Sequence, residues 1–358
     1  MTFQLNDIFP NLPHGLSNIG FFLGAGTSWK AGYPLMPELT VQVLKRLKEE
    51  EGTLLDSLVS RSSSTPVDKA KGEPNIEIVS DILEASILSA DAKQADYPRM
   101  LELRRSIRQH IVEVLLDVKN PKLDDHIRFF NALNRLLAGR PEQVWLFTPN
   151  YDMLFEIASS LVRLPLIDGF VGSSVRFFSV GSLLLESGSV EGHTFQPLAQ
   201  PTIRLVKLHG SLDWWRYNST TYSTIDATVL QGNPDRAVVL PRKKKMTETL
   251  DPPFEELFRI SARILGTACK YLVSCGYGFG DQHINETLLL PKLQQSKLTL
   301  TAFVKEDSAN LDPFKTIPSF AFGTETSSKK RNGPLDNTGS ELWQFEKLVD
   351  LLATSAGI

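Results

Sequence analysis

Apolar residues fall into two registers along this chain. Unbroken runs at Ile19 to Leu23, "QVWLFT" (Gln143 to Thr148), "RLVKLHG" (Arg204 to Gly210), "AVVLP" (Ala237 to Pro241), "YLVSCGYG" (Tyr271 to Gly278) and "LTLTAFV" (Leu298 to Val304) predict buried strands of a mostly parallel sheet. A strand covered on both faces has no polar alternate positions. After the first run the spacing becomes helical. In "NIEIVSDILEASILSA", Ile76, Val79, Leu83 and Ile87 share one face, and "MLELRRSIRQHIVEVLLDV" repeats that period opposite a charged face. The polar stretch Ser60 to Asn75 reads as a loop, as does the Gly- and Ser-rich stretch Ile157 to Phe178.

The expected fold is therefore α/β: a Rossmann-like, mostly parallel sheet with helices on both faces and a helical insertion or subdomain. Residues 1–37 and 141–318 are expected to form the discontinuous sheet domain and residues 38–140 the helical insertion. Residues 319–358 read as a polar linker and a C-terminal helix.

Composition narrows the function classes. With 358 residues, 42% of them hydrophobic, the chain can bury a full core, and its net charge of -3 gives no bulk attraction to nucleic acid or an anionic membrane. No apolar run is long enough to span a bilayer, and the N-terminal stretch lacks a signal-peptide pattern, so the cytoplasm is the expected compartment. Cys269 and Cys275 are the only cysteines and the 6 histidines lie singly, so no metal site is expected. "PRKKK" (Pro241 to Lys245) reads as a solvated charge run, with phosphate or partner binding as the alternative.

Four stretches carry candidate chemistry. Gly24-Ala25-Gly26-Thr27-Ser28 follows the first strand, where glycines let backbone N–H groups approach a phosphate and a helix N-terminus adds dipole charge; a tight turn with no ligand is the alternative. The next glycine, Gly32, comes too late for the dinucleotide fingerprint. Thr148, Asn150 and Asp152 end the second strand, where open α/β sheets bind ligands, although Asn and Asp also cap helices. His209 ends a third strand as a candidate general base or a structural histidine, with Asp213 placed to hold it and Trp214 and Trp215 as wall or core. Gly276, Gly278 and Gly280 bracket Phe279 and precede Asp281, implying close approach of backbone to a ligand or to another segment.

In this order the stretches resemble the bacterial sirtuin-like proteins of antiphage defence systems, over about Ile19 to Asn285. Such proteins bind NAD on a Rossmann-like sheet through a Gly-Ala-Gly turn that lacks the third glycine. Two cysteines cannot build the four-cysteine zinc module of deacetylating sirtuins, so the resemblance is to the zinc-free branch, which cleaves NAD. Where sirtuins carry Gln-Asn-x-Asp, this chain reads Pro149-Asn150-Tyr151-Asp152. The resemblance implies that Asn150 positions the ribose or the attacking water, that His209 is the general base, and that Asp152 orients its neighbours. Gly24, Ala25, Gly26, Thr27 and Ser28 would cradle the pyrophosphate; Gly276, Phe279 and Asp281 would line the adenosine side; His283 is left as structural. It further implies an NAD glycohydrolase gated by homo-oligomer assembly or by a partner, a HerA-like ATPase or an Argonaute-type protein. The helical block and "PRKKK" are the candidate contact surfaces. The alternatives are a non-enzymatic NAD or ADP-ribose sensor and a protein deacylase or ADP-ribosyltransferase.

Overall fold

The computed structural model describes residues 3–10, 16–62, 66–91, 93–230, 232, 234–241 and 252–358. Helix α1 (Leu5–Ile8) precedes β1 (Ile19–Leu23), every residue of which is buried. A single helical turn, α2 (Gly26–Trp29), leads into α3 (Met36–Arg46), α4 (Glu49–Ser62), α5 (Ile76–Ser89), α6 (Tyr97–Leu116) and α7 (Asp124–Leu136). Then come β2 (Gln143–Thr148), α8 (Leu154–Leu161), β3 (Leu166–Ile167), β4 (Phe170–Gly172), β5 (Arg176–Phe178) and the hairpin β6 (Gly188–Glu191) and β7 (Thr194–Pro197). β8 (Thr202–Lys207), β9 (Gly210–Tyr217), β10 (Thr220–Ser223), β11 (Asp235–Val238), α9 (Phe254–Ile264), β12 (Tyr271–Cys275) and α10 (Gln282–Ile284) follow. The chain closes with α11 (Leu290–Gln294), β13 (Thr299–Phe303), α12 (Asp312–Lys315), β14 (Phe320–Gly323), β15 (Ser328–Lys329), β16 (Leu335–Asp336) and α13 (Phe345–Ala356). None of the described helices is long and apolar enough to cross a membrane.

The main sheet has 9 strands in the order β16-β15-β14-β13-β12-β1-β2-β8-β3. All its pairings from β14 to β3 are parallel, and only β15 runs the other way, antiparallel to both β14 and β16. Ranked by appearance in the chain, β8, β2, β1, β12, β13 and β14 read 3-2-1-4-5-6, the doubly wound order. After β1 the chain builds β2 and β8 on one side, then returns to lay β12 on the other. The crossover after β1 packs α7 on one face of the sheet and the crossover after β12 packs α11 on the other, so the chain parts beyond the ends of these two strands.

Both faces of this sheet are buried, which is why its strands read as continuous apolar runs. Phe21, Leu23, Val144, Leu146 and Val273 pack with Phe130 of α7, Phe155 of α8 and Leu348 of α13. Their alternates Phe22, Trp145, Phe147, Val206 and Leu272 pack with Leu257 of α9 and Leu293 of α11. A third core joins Val43, Leu55, Val79, Leu83 and Ile107 of α3 to α6, and it takes in Leu212 of β9 and Val238 of β11. The helical block thus leans on a second, five-stranded sheet of order β11-β9-β10-β5-β4.

Several local expectations are corrected. Ile157 to Phe178 is not an irregular loop: it completes α8 and forms β3, β4 and β5, strands too short to leave a period, with Gly169 and Gly172 at positive φ in their turns. Residues 319–358 contribute β14, β15 and β16 to the main sheet as well as α13. Ala237 and Val238 belong to the small antiparallel sheet, not the parallel one. In the expected loop from Ser60 to Asn75, α4 continues to Ser62 and residues 63–65 lie outside the described residues. α7, counted with the insertion, packs on the main sheet.

His126 of α7 lies between the rings of Phe155 and Phe345, both centroids 5.0 Å away, and neither ring nitrogen has a partner among the described residues. Burial pushes its pKa down from 6.5 to about 4, with Asp152 pulling the other way. The folded protein holds a neutral imidazole that the unfolded chain protonates as pH falls below the ordinary value. Stability should be full above that value and drop by about 3 kcal/mol as pH falls toward the folded value. Denaturant melts across this window check the loss, and His126→Phe should remove it; a variant with an unchanged pH dependence refutes the assignment.

Candidate active site

The C-terminal ends of β1, β2, β8 and β12 meet at a cleft of about 370 Å³. The sheet supplies Ala25, Ser28, Asn150, Asp152, His209, Gly276 and Asp281, and the helical block supplies the facing wall through Tyr33, Met36, Leu39, Asn75, Glu77 and Leu115. Asn75 is fixed there by capping α5, its Oδ1 accepting from the Ile78 N–H at 3.1 Å. The block, weighed above as a partner surface, is thus also one side of the cleft. Of "PRKKK", Pro241 lines the cleft, and Arg242 to Lys245 lie outside the described residues.

The turn after β1 is built for contact with protein. The Gly24 N–H donates to the Cys275 carbonyl and the Gly26 N–H to the Gly276 carbonyl, both at 3.0 Å. Thr27 N–H and Ser28 N–H donate to Gly24 and Ala25 carbonyls at 3.0 and 3.1 Å. A Cβ on Gly24 would lie 2.5 Å from the Gly276 oxygen and one on Gly26 2.7 Å from the Gly276 Cα. These glycines seat one turn against another. Of the five residues expected to cradle a pyrophosphate, Ala25 and Ser28 line the cleft; Gly24, Gly26, Thr27 and Ser28 donate their N–H groups within the protein, and among the described residues the Ala25 N–H has no acceptor. The dipole argument also lapses, because α2 is a single turn.

Asn150 and Asp152 take different roles. The Asn150 Nδ2 donates to the Gly24 carbonyl at 3.1 Å and to Ser28 Oγ at 3.0 Å, and Ser28 Oγ donates to Asp152 Oδ2 at 2.7 Å. Thr148 Oγ1 donates to the Leu23 carbonyl at 2.6 Å and accepts from the Asn150 N–H at 3.1 Å. Both amide hydrogens of Asn150 are thereby spent, and Oδ1 is the atom left for a ligand. The Asp152 Oδ1 accepts from the Leu154 N–H at the start of α8 at 3.2 Å, so Asp152 is the capping member of the pair.

His209 lies between β8 and β9, and Gly210 behind it adopts φ 91°, with the Ala237 carbonyl where a Cβ would stand. Its Nε2 is 3.0 Å from Asp281 Oδ2, and both side chains are buried. Asp213, expected to hold the histidine, instead accepts from Ser223 Oγ at 2.5 Å and lies 3.8 Å from Arg176 in the small sheet. Asp281, expected on the adenosine side, is the histidine's partner and also caps α10 through the Ile284 N–H at 3.2 Å. Trp214 is core against Phe170, and Trp215 lies under the Arg236 guanidinium at 3.6 Å.

Phe279 does not line the cleft. Its side chain is buried against Tyr277, Phe314 and Phe320, and its carbonyl accepts from Asn285 Nδ2 at 2.8 Å. Gly278 and Gly280 on either side face the cleft, and nothing stands within 4 Å of a Cβ on Gly278. His283 lies against the Phe258 ring, 4.6 Å between centroids.

Sequence reasoning passed over Tyr33, Glu77, Tyr277 and Lys207. Burial, reinforced by Asp152 and Glu156, pushes the Tyr33 phenol up to about 12, so it stays protonated as a donor. Tyr277 donates to Asn285 Oδ1 at 3.0 Å. Lys207 lies beneath the Asn150 turn with Glu156, whose pKa burial pushes up to about 7 against the pull of the Lys207 ammonium 2.8 Å away. The available signal was a lysine inside the apolar run "RLVKLHG". The charged residues lining the cleft, among those described, are the carboxylates Glu77, Asp152 and Asp281. Among the described residues no group of three or more His, Cys, Asp and Glu is placed to hold a metal ion.

Residues 144–313 match the family model of a SIR2-like domain, and proteins of that family use NAD as substrate or cosubstrate. The matched stretch holds Asn150, Asp152, His209 and Gly276 to Asp281 and leaves out the turn after β1. No curated relative matches the sequence. Among solved structures the chain is similar to "Structure of Sir2Tm bound to a propionylated peptide", with 11% identity, a TM-score of 0.43, and 99% of this chain and 100% of that chain covered.

The two kinds of glycine in the cleft should separate on substitution. Gly24→Ala forces backbone apart and should cost about 1–3 kcal/mol, while Gly278→Ala, in open space, should stay within about 0.5 kcal/mol. Denaturant melts of both variants check this; equal costs would show that the turns are not in tight contact.

Proposed function

We propose that this protein cleaves the nicotinamide–ribose bond of NAD, giving nicotinamide and an ADP-ribose product. The observation that carries the reading is the placement of Asn150 and of His209, backed by Asp281, on adjacent parallel strand ends in one cleft. The cleft fits the substrate in three respects. Asp152, at the cleft floor, favours the positive charge that builds on the sugar as the bond breaks. The Ala25 N–H and the uncovered backbone at Gly278 and Gly280 admit phosphate oxygens, and Asn150 Oδ1 can accept from a ribose hydroxyl or a water.

His209 takes the proton of the attacking water, directly or through a ribose hydroxyl, as oxygen bonds the anomeric carbon. The bonding pair of the broken C–N bond leaves with nicotinamide, whose ring becomes neutral. Asp281 orients the imidazole and stabilises it once protonated. Asn150 holds the sugar or the water in line, and Asp152 holds Asn150 through Ser28. An activity that consumes NAD needs restraint in a resting cell. The reading therefore includes a role as a defence effector, held off until copies assemble or a HerA-like ATPase docks; the motif resemblance supports this extension.

The test is nicotinamide release by the purified chain, alone and with a candidate partner ATPase. Asn150→Ala and His209→Ala should each lower kcat by about 10²–10⁴-fold, and Asp281→Asn should lower it less while shifting the pH profile. NAD binding without release under either condition would replace the reading with a sensor. No binding at all would remove it.

A further inference from the structure

Lys207, the last residue of β8, is 1% exposed and does not line the cleft. A buried ammonium is costly unless several acceptors replace its water. Here Nζ donates to the Asp152 carbonyl, to Glu156 Oε1 at 2.8 Å and to Ser211 Oγ at 2.7 Å, and it lies 3.4 Å from the Tyr151 carbonyl. These acceptors belong to two segments. Tyr151, Asp152 and Glu156 follow Asn150 after β2, whereas Ser211 follows His209 at the start of β9. The Tyr151 carbonyl joins the segments a second time, accepting from the Leu212 N–H at 2.9 Å and from Ser211 Oγ at 3.3 Å.

We propose that Lys207 is a positioning residue that fixes Asn150 relative to His209, its one ammonium joining the backbone carbonyls after Asn150 to the Ser211 hydroxyl after His209. The inference rests on the reading of the cleft as a site of bond cleavage. A lysine that only neutralised Glu156 could be replaced together with it, since a neutral pair of similar volume commonly matches a buried ion pair in stability. A pinning lysine could not be replaced in that way. The neutral pair leaves the Tyr151 and Asp152 carbonyls without their charged donor, and a displacement of about 1 Å between reacting groups can cost about 10²-fold in rate.

The experiment compares full-length wild type with Lys207→Met, Glu156→Gln and the double variant. Thermal stability, kcat and KM for nicotinamide release, and amide hydrogen exchange are measured for each. Lys207→Met should lose stability, because the half-buried Glu156 is left without its cation, and the double variant should regain most of it. In the double variant kcat should stay about 10²-fold below wild type with KM changed less than about threefold. Exchange should rise together in the segments 150–154 and 208–213. A double variant with near wild-type kcat, or exchange that rises in one segment or neither, overturns the proposal. If wild type releases no nicotinamide, the cleavage reading fails on that arm alone, and the paired rise in exchange still decides whether Lys207 pins both turns.

Discussion

Backbone pressed against backbone at the ends of β1 and β12 governs this structure. Gly24 and Gly26 leave no room for side chains beside Gly276, and two hydrogen bonds cross the contact. The contact lies where the doubly wound sheet reverses its direction of growth, so it ties the two halves of the sheet together at the one place where their loops part. The polar groups of the cleft depend on it in turn. The Gly24 carbonyl receives the Asn150 amide, and Ser28, one turn further on, links Asn150 to Asp152. Glycine acts here through close packing at Gly24, Gly26 and Gly276, whereas a side chain on Gly278 would meet open space.

Charge in the cleft is arranged in layers. Beneath the floor, an ammonium and a carboxylate offset each other's burial, and at the floor an imidazole faces a carboxylate. In a medium less polarisable than water, each pair keeps its geometry because an unpaired member would be expensive. The polar groups are consequently held in place before any ligand arrives.

Much of this was legible in the chain, and the failures have physical causes. The long parallel strands announced themselves because burial on both faces removes polar residues from them, and α5 and α6 because their apolar positions recur on one face. Asn150, Asp152 and His209, which the fold brings to one cleft, stand out because they are polar residues that end apolar strands. Partner choice was not legible. Asp213 and Asp281 look alike in sequence as companions for His209, and only the crossover that brings β12 beside β1 selects the distant one. The turn glycines and Phe279 point elsewhere for a related reason: proximity in sequence to a cleft-lining residue does not say which way backbone or ring is turned. Short strands such as β3, β4 and β14 leave too few residues for any period, and Lys207 was hidden by its own burial among apolar neighbours.

The central strand is also the first one made. β1 waits for partners that arrive much later: Leu23 meets Thr148 across 125 residues of chain, and the β12 turn comes later still. During synthesis an apolar strand with two open edges must stay uncommitted while the helical block is made behind it, and the core of that block in turn waits for Leu212 and Val238. The histidine and its carboxylate cannot meet until residue 281 has left the ribosome. A nascent or truncated chain therefore carries no competent cleft, and the topology itself sets a clock on when any chemistry there can begin.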